Sequence, residues 1–238
     1  MPHLRMRHLF FSQHYSKEGD TDILKRICAV LLALILTGCG AKIPADHVAA
    51  SSDDAPSYAV YQEVLENKKT VITASEQKEI LFRDSLAEGV DVASYSILDM
   101  DGDTIPEVVL RMRYYTNDSY AFRVLHSEGD TVYMFYFPFR GLNNLKVDGT
   151  HHWSNGAFNN GEARIDFGAG TYTETNLAYC DTDASGNALY YIGDKSVSRA
   201  EYTAYYEELE KTPDTVWVAY TPEAFAESIA SLTAEPTV

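Results

Sequence analysis

Residues 95–110 read YSILDMDGDTIPEVVL and place an acidic turn between two apolar runs. The runs at 95–98 and 108–110 have the β-favouring composition of strand ends. The Asp101-Gly102 pair between them is typical of a tight turn. The stretch therefore predicts two neighbouring antiparallel strands joined by a short acidic loop.

A similar composition is found on both sides of this loop, where short Tyr-, Val-, Ile- and Phe-rich runs are separated by Gly, Asp and Asn turn signals. Such spacing predicts an antiparallel meander. We therefore predict an α+β fold, a mainly antiparallel β-sheet with N-terminal and C-terminal helices packed on it. The predicted strands are 93–98, 107–114, 120–126, 131–138, 162–167, 171–180 and 188–192. The predicted helices are 57–67, 75–88, 199–210 and 222–232.

The acidic loop has the side chains of a cation site. Asp99, Asp101, Asp103 and Glu107 stand at positions 1, 3, 5 and 9 of the loop. Calcium takes about six to eight oxygen ligands, and alternate side chains of a tight loop can converge on one point, joined by a carbonyl at position 7, here Ile105. We predict a structural calcium site formed by these five residues. The alternative is a solvent-exposed acidic β-turn.

The loop departs from an EF-hand, because Thr104 replaces the usual Gly at position 6 and Leu110 replaces the Glu at position 12. It resembles the Asp-x-Asp-Gly-Asp-Gly-x-Pro-Glu-Leu motif of a functionally uncharacterised family of lipoproteins and secreted proteins of Gram-positive bacteria. It is also similar to the calcium loops of integrin-type and dockerin-type repeats. The resemblance implies an exported location and a fold, without implying a reaction. The motif matches at Asp99, Asp101, Gly102, Asp103, Pro106 and Glu107, and looser similarity covers about 55–215.

An export signal precedes the folded part of the chain. Lys25 and Arg26 come before an apolar run at 27–36. This run is too short to span the roughly 30 Å of hydrocarbon in a bilayer, so it is typical of a signal-peptide core. The residues that follow the run, Thr37-Gly38-Cys39, resemble the end of a bacterial lipobox. In a lipobox, the Cys thiol receives diacylglycerol before signal peptidase II cleaves the chain just before that Cys.

These features predict three segments: a lipoprotein signal peptide at 1–38, a flexible tether at 39–55 and a single extracellular α+β domain at 56–238. Lipidation at Cys39 would anchor the protein on the extracellular face of the cell membrane. Residues 1–22 put acidic and His residues before the basic flank, unlike a short basic n-region. We therefore expect translation to start near Ile23 or Leu24 from a non-AUG codon.

The net charge excludes one class of partner, and the number of cysteines excludes an internal disulfide in the exported part. The formal net charge of −16 repels nucleic acid, so we exclude nucleic acid as a partner. Of the three cysteines, Cys28 and Cys39 belong to the signal and the lipidation site, which leaves Cys180 in the exported part. The exported part therefore has no internal disulfide, and nothing in the sequence indicates an obligate oligomer.

Two other polar segments are weaker metal candidates. His151 and His152 are adjacent on a predicted strand, so their side chains should point to opposite faces rather than to one ion. The 181–187 turn contains Asp181 and Asp183 but lacks a closing carboxylate, and we interpret it as a hairpin turn.

The predicted function is that of a membrane-anchored extracellular lipoprotein with a structural calcium loop and a binding or envelope-associated role. A cell-wall or carbohydrate ligand is the candidate partner, because Trp153, Phe158, Trp217 and the 133–137 run could form an aromatic platform for a carbohydrate or a peptide. The simpler interpretation is that the members of that run alternate between core and solvent. Nucleophile-elbow, Walker and His-Glu-x-x-His motifs are absent from the sequence. The alternative function is a cell-surface hydrolase of peptidoglycan or polysaccharide, marked by two pocket carboxylates about 5–10 Å apart.

Overall fold

A computed structural model describes residues 58–233, which form two β-sheets and three α-helices. The predicted signal peptide, Cys39 and the tether lie outside the described residues. The helices are α1 (Ala59–Leu65), α2 (Arg199–Leu209) and α3 (Pro222–Thr233). The strands are β1 (Thr70–Thr73), β2 (Lys78–Leu81), β3 (Val90–Leu98), β4 (Glu107–Tyr114), β5 (Asn117–Glu128), β6 (Thr131–Pro138), β7 (His151–Gly156), β8 (Asn159–Gly168), β9 (Thr171–Thr182), β10 (Ala188–Ile192), β11 (Lys195–Val197) and β12 (Val218–Ala219).

The predicted α+β class is confirmed, and the strands divide between two sheets. The first sheet has seven strands in the order β12-β3-β4-β5-β6-β1-β2, and the second has five in the order β11-β10-β9-β8-β7. Strands β4, β5 and β6 of the first sheet pair antiparallel in chain order, as do β8 and β9 of the second sheet. Strand β1 pairs with β6 in parallel, with Ile72 opposite Tyr133. The 139–150 segment separates the two meanders, so β7 pairs with β8 rather than with β6.

Strand β4 is an interior strand of the first sheet, between β3 and β5, and is covered on both faces. Val108, Val109 and Leu110 are each fully buried. A strand buried on both faces reads as a continuous apolar run rather than an alternating one. The sequence around the acidic loop therefore specifies the most enclosed part of the fold.

One face of the first sheet packs on α1 and α3. Tyr61 and Val64 of α1, and Phe225 of α3, are at most 1% exposed. They belong to one apolar cluster with Val108 and Leu110 of β4. Because helices cover this face, the alternate side chains of β4 that point to it are apolar.

The opposite face of the first sheet packs on the second sheet. Val109 of β4 and Phe135 of β6 share a buried cluster with Ile165 of β8, and Phe167 packs against that cluster. Helix α2 packs on β10 through the rings of Tyr202 and Tyr190, whose centroids are 5.1 Å apart. The second sheet therefore contacts the first sheet and α2.

The helix predicted at 75–88 is wrong, because this stretch contains β2 and a 3₁₀ turn at Phe82–Ser85. Gln77 has a φ of 50° at the turn, which lets Val71 of β1 pair with Ile80 of β2. The apolar spacing here is too short to decide between helix and strand, and pairing with the β-branched β1 decides it.

The two C-terminal helices begin where the sequence predicts. Ser198 accepts a hydrogen bond from the Glu201 main-chain N–H at 3.3 Å, and the Glu201 carboxylate accepts one from Ser198 N–H at 2.8 Å. This reciprocal pair is a capping box. No helix within residues 58–233 is long and apolar enough to cross a membrane.

Gly149 provides a test of how tightly the acidic loop packs on its neighbours. Its φ is +79°, and a Cβ there would lie 2.0 Å from the Met100 carbonyl oxygen. We expect Gly149→Ala to lower the free energy of unfolding by about 3 kcal/mol or more, measured by denaturant titration. The control is Gly186→Ala, with a φ of +83° and nothing within 4 Å. It should cost about 1 kcal/mol, and equal losses in both variants would contradict the packing.

Candidate metal centre

The acidic loop between β3 and β4 folds around its own carboxylates. Asp99 accepts hydrogen bonds from the main-chain N–H groups of Gly102 at 2.6 Å and Thr104 at 3.1 Å. Asp101 accepts from Asp103 N–H at 3.1 Å. These bonds fix the side chains at alternate positions on the inside of a tight turn, as in an Asx turn.

Thr104 adopts the left-handed conformation that Gly adopts most readily. Its φ is 74°, and that of Gly102 is 84°. A β-branched residue rarely occupies this region, because its Cβ approaches the neighbouring carbonyl. The hydrogen bond from Thr104 N–H to Asp99 helps to hold the residue in this conformation.

Glu107 closes the loop from the first position of β4, and its side chain is completely buried. Its Oε2 accepts a hydrogen bond from Met100 N–H at 2.8 Å, and its Oε1 shares one of 2.8 Å with His126 Nδ1. His126 lies on β5 and is itself 2% exposed. Burying a carboxyl group is costly without such partners, so this pair is a fixed feature of the interior.

Two overlapping groups of side chains in the loop region could hold a metal ion. One consists of Asp99, Asp101 and Glu107, and the other of Asp101, Asp103 and His126. Within each group, one potential ligand atom from each residue lies within 4.8 Å of the others. Asp101 belongs to both groups and is the centre of the arrangement.

Asp101 also connects the loop to the second sheet. Its Oδ2 accepts a hydrogen bond of 3.1 Å from the main-chain N–H of Phe167 on β8. The Phe167 ring stacks on the His126 ring, with 5.5 Å between the centroids. The candidate site therefore lies where the two sheets meet.

Helix α1 contacts the other side of the loop through Tyr61. The Tyr61 hydroxyl lies 3.1 Å from the Pro106 carbonyl oxygen and 3.1 Å from Ser127 Oγ. Burial, and to a smaller extent the charge of Glu107, raise the pKa of the Tyr61 phenol, so the group is a neutral hydrogen-bonding partner. Elements from the helical layer and both sheets thus position the loop.

Two carboxyl groups of the loop, those of Glu107 and Asp103, have raised pKa values and are harder to ionise than free ones. Burial is the main cause of the raised pKa of Glu107, although the bonds to His126 and Met100 oppose it. Burial also raises the pKa of Asp103, and the charges of Asp101 and Asp99 raise it further. A nearby cation would favour the charged forms of both groups.

The same surroundings favour the charged, protonated form of His126. Burial by itself lowers the pKa of His126, but the hydrogen bond and charge of Glu107 outweigh it, with help from Asp101 and Asp103. The pKa of the imidazole is therefore above its usual value. The loop and its neighbours form a negatively charged environment that attracts a positive group.

The structure places Asp99, Asp101 and Glu107 in one potential metal-holding group and Asp103 in the other, with Asp101 shared between them. The Ile105 main-chain N–H donates to Asp103 at 2.6 Å, and ligation by the Ile105 carbonyl remains a prediction. The sequence analysis missed His126. The register of β4 and β5 pairs Val108 with Leu125, which places His126 opposite Glu107, so a correct hairpin register would have found it.

The two adjacent histidines and the 181–187 turn form hydrogen bonds with other residues of the fold. His151 Nε2 lies 3.0 Å from Glu174, while His152 Nδ1 lies 2.8 Å from Glu162 on a different strand, as expected for neighbours that point apart. Asp183 accepts hydrogen bonds from Ser185 and Asn187 N–H at 2.8 Å each, in the turn between β9 and β10. Among the residues that the structure describes, the potential metal-holding groups of three or more side chains lie at the acidic loop.

Comparisons of the chain with protein-family models, with curated protein sequences and with solved structures give no match.

Removing Glu107 should destabilise the protein whether or not a metal is present. Glu107→Ala leaves the buried His126 ring and Met100 N–H without their partner, which should lower the free energy of unfolding by about 2–4 kcal/mol. The measurement is denaturant unfolding with EDTA present. The control is Glu128→Gln, because Glu128 is 42% exposed and 3.9 Å from His126. It should change stability by less than about 1 kcal/mol, and a similar small effect for Glu107→Ala would contradict the role given to the pair.

Proposed function

We propose that this protein is a membrane-anchored extracellular lipoprotein, lipidated at Cys39, whose folded part binds a structural calcium ion and has a binding or envelope-associated role. The observation that carries the calcium proposal is that ligand atoms of Asp99, Asp101 and Glu107 lie within 4.8 Å of one another at the loop, with Asp103 beside Asp101. Support for the anchor comes from the basic flank, apolar core and lipobox-like residues at 25–39.

The ligand chemistry favours calcium over a transition metal. Carboxylate and carbonyl oxygens suit calcium, whereas imidazole and thiolate ligands suit zinc or copper. His126 is already bonded to Glu107 through Nδ1, at 2.8 Å. The oxygen-only group of Asp99, Asp101 and Glu107 therefore supports the hard cation, and His126 holds the Glu107 carboxyl group in place.

The contacts of the loop support a structural role for the ion. Asp101 reaches β8 through Phe167 N–H, and Pro106 reaches α1 through Tyr61. A cation bound here would neutralise the crowded carboxylates and hold these connections together. Its binding free energy would add to the stability of the folded state by mass action.

Four clefts of the described residues can be compared with the carboxylate pair that the alternative hydrolase would need. Four clefts are described on residues 58–233; one is lined by Glu174, another by Asp214, and the other two by no acidic side chain. A glycosidase needs two carboxyl groups on either side of the scissile bond. None of these four clefts provides such a pair.

Calcium should raise the thermal stability of the full chain. At a calcium concentration of about 100 times the dissociation constant, which we expect to be about 10⁻⁴–10⁻³ M, the stabilisation should be roughly 2.7 kcal/mol over EDTA. Asp103→Asn should weaken calcium affinity by about tenfold, since it removes one charge while its remaining oxygen can still accept from Ile105 N–H. The measurement is a melting curve across a calcium series.

The matched control for this experiment is Asp183→Asn, which changes the other Asp-containing turn. This variant should keep the wild-type response to calcium. Coincident melts of the wild type in EDTA and at about 100 times the expected dissociation constant of calcium would contradict the proposal, and a larger shift with zinc than with calcium would replace calcium with a transition metal.

Lipidation should depend on Cys39. When the full chain is expressed in a bacterial host and labelled with radioactive palmitate, Cys39→Ser should abolish labelling and move the protein from the membrane to the soluble fraction. Cys180→Ser is the control, because Cys180 is a buried free thiol within the folded part. Labelling that persists in Cys39→Ser would exclude Cys39 as the acylated residue.

A further inference from the structure

A cleft of about 620 Å³ lies beside the turn Phe139–Gly141, where the end of β6 meets β7 and β9. Its walls include the rings of Phe139, Trp153 and Tyr172, and Tyr172 is 46% exposed. This volume is within the range of small-molecule binding sites, about 300–1,000 Å³. The cleft presents several aromatic rings to one ligand-sized space.

A second cleft, of about 500 Å³, continues from the first. The two share Phe139, Arg140 and Ser154, and the second is also lined by Asn143, His152 and Asn160. Together they form a groove, the turn groove, that bends around the edge strand β7, because Trp153 in its first half and His152 in its second half are neighbours on that strand and point to opposite faces. Its first half is rich in aromatic rings, and its second half is rich in uncharged hydrogen-bonding groups. A ligand that fits it is elongated and has both apolar faces and many polar groups.

Two side chains that line the first half of the groove form hydrogen bonds with residues that do not line it. The indole N–H of Trp153 donates to Asn176 Oδ1 at 2.7 Å. The Glu174 carboxylate lies 3.0 Å from Nε2 of the fully buried His151. These contacts fix the orientation of two lining side chains before any ligand arrives, which lowers the entropic cost of binding.

The second half is supported in the same way. His152 Nδ1 lies 2.8 Å from Oε1 of Glu162, and the Glu162 residue is 1% exposed. The Glu162 side chain does not line the groove, so it acts as the support of a lining imidazole. The other ring nitrogen of His152 is left to interact with a ligand or with solvent.

The lining chemistry points to an uncharged sugar polymer. Aromatic rings present flat apolar surfaces to the C–H faces of sugar rings, while Asn, Ser and His groups can donate to and accept from hydroxyl groups. The groove has Arg140 and Glu174 as its charged side chains, one of each sign. The protein's charge of −16 repels polyanions, which disfavours acidic polymers as ligands.

A peptide is a poorer match for the groove. Peptides often bind by adding a strand to an open sheet edge, and β7 is an edge strand of the second sheet. At His152 that edge is already paired, because Asn143 and His152 exchange two main-chain hydrogen bonds of 2.9 and 2.7 Å. The main-chain groups that a peptide would need at this point are occupied.

We propose that the turn groove binds an uncharged oligosaccharide, with Trp153 and Tyr172 as stacking platforms and Asn143 and His152 as hydrogen-bonding partners. This inference rests on the proposed extracellular binding role and names its ligand class. It involves none of the acidic-loop residues and does not require Cys39.

The test is isothermal titration calorimetry of the full chain in detergent, with a tetramer of N-acetylglucosamine and with cellotetraose as separate probes and tetra-alanine as the peptide probe. At least one sugar should bind. Tyr172→Ala and Trp153→Ala should each weaken its binding about tenfold or more, as expected for aromatic residues at the centre of a site. Tyr114→Ala is the control, because Tyr114 is 44% exposed but lines none of the four described clefts.

Binding of neither sugar, tighter binding of tetra-alanine, or full sugar binding by both groove variants would each overturn the proposal. A melting curve of every variant checks the fold, and Tyr172→Ala keeps the test valid if Trp153→Ala does not fold. Calcium response and palmitate labelling are measured on the same preparations. If no sugar binds while the calcium response and palmitate labelling are intact, the groove proposal fails and the calcium site and the anchor are unaffected.

Discussion

The Glu107 carboxyl group is completely enclosed, and a buried carboxyl group must be satisfied by fixed partners. Met100 N–H and His126 are those partners, one at the start of the acidic loop and one on the neighbouring strand. This requirement fixes where β3 ends, where β4 begins and how β5 is aligned with it. The geometry of the loop depends on that alignment, because Asp99, Asp101 and Asp103 can converge only when its two ends are held together.

The loop is the point at which three layers of the fold meet. Tyr61 from α1 contacts Pro106, Asp101 binds the main chain of β8, and the Phe167 ring covers His126. Concentrated negative charge at such a junction destabilises the folded state unless a positive group balances it. A cation would therefore act on the contacts between layers as well as on the loop. The turn groove consists of other residues, so stability and ligand binding can be separated experimentally.

Much of the fold could be predicted from local patterns. Strong β propensity and turn signals located most strands of both meanders, and Ser198 marked the start of α2 through its capping box. The helix predicted at 75–88 failed because a few apolar residues fit either period, and pairing of Val71 with Ile80 decided in favour of strands. Four carboxylates of the candidate site were visible because they lie within nine residues. His126 and the turn groove depend on strand register and on the approach of two sheets, which no local pattern specifies.

The most direct test of the account is a crystal structure of the protein grown in millimolar calcium, with anomalous diffraction used to locate the ion. The account predicts a calcium peak at the acidic loop, with oxygens of Asp99, Asp101 and Asp103 at about 2.3–2.6 Å and the Ile105 carbonyl among the ligands. One oxygen of Glu107 should be among the ligands, while the other remains bonded to His126. A loop with the same backbone, no anomalous peak and only water among its carboxylates would contradict the calcium site and leave an acidic turn held by Glu107.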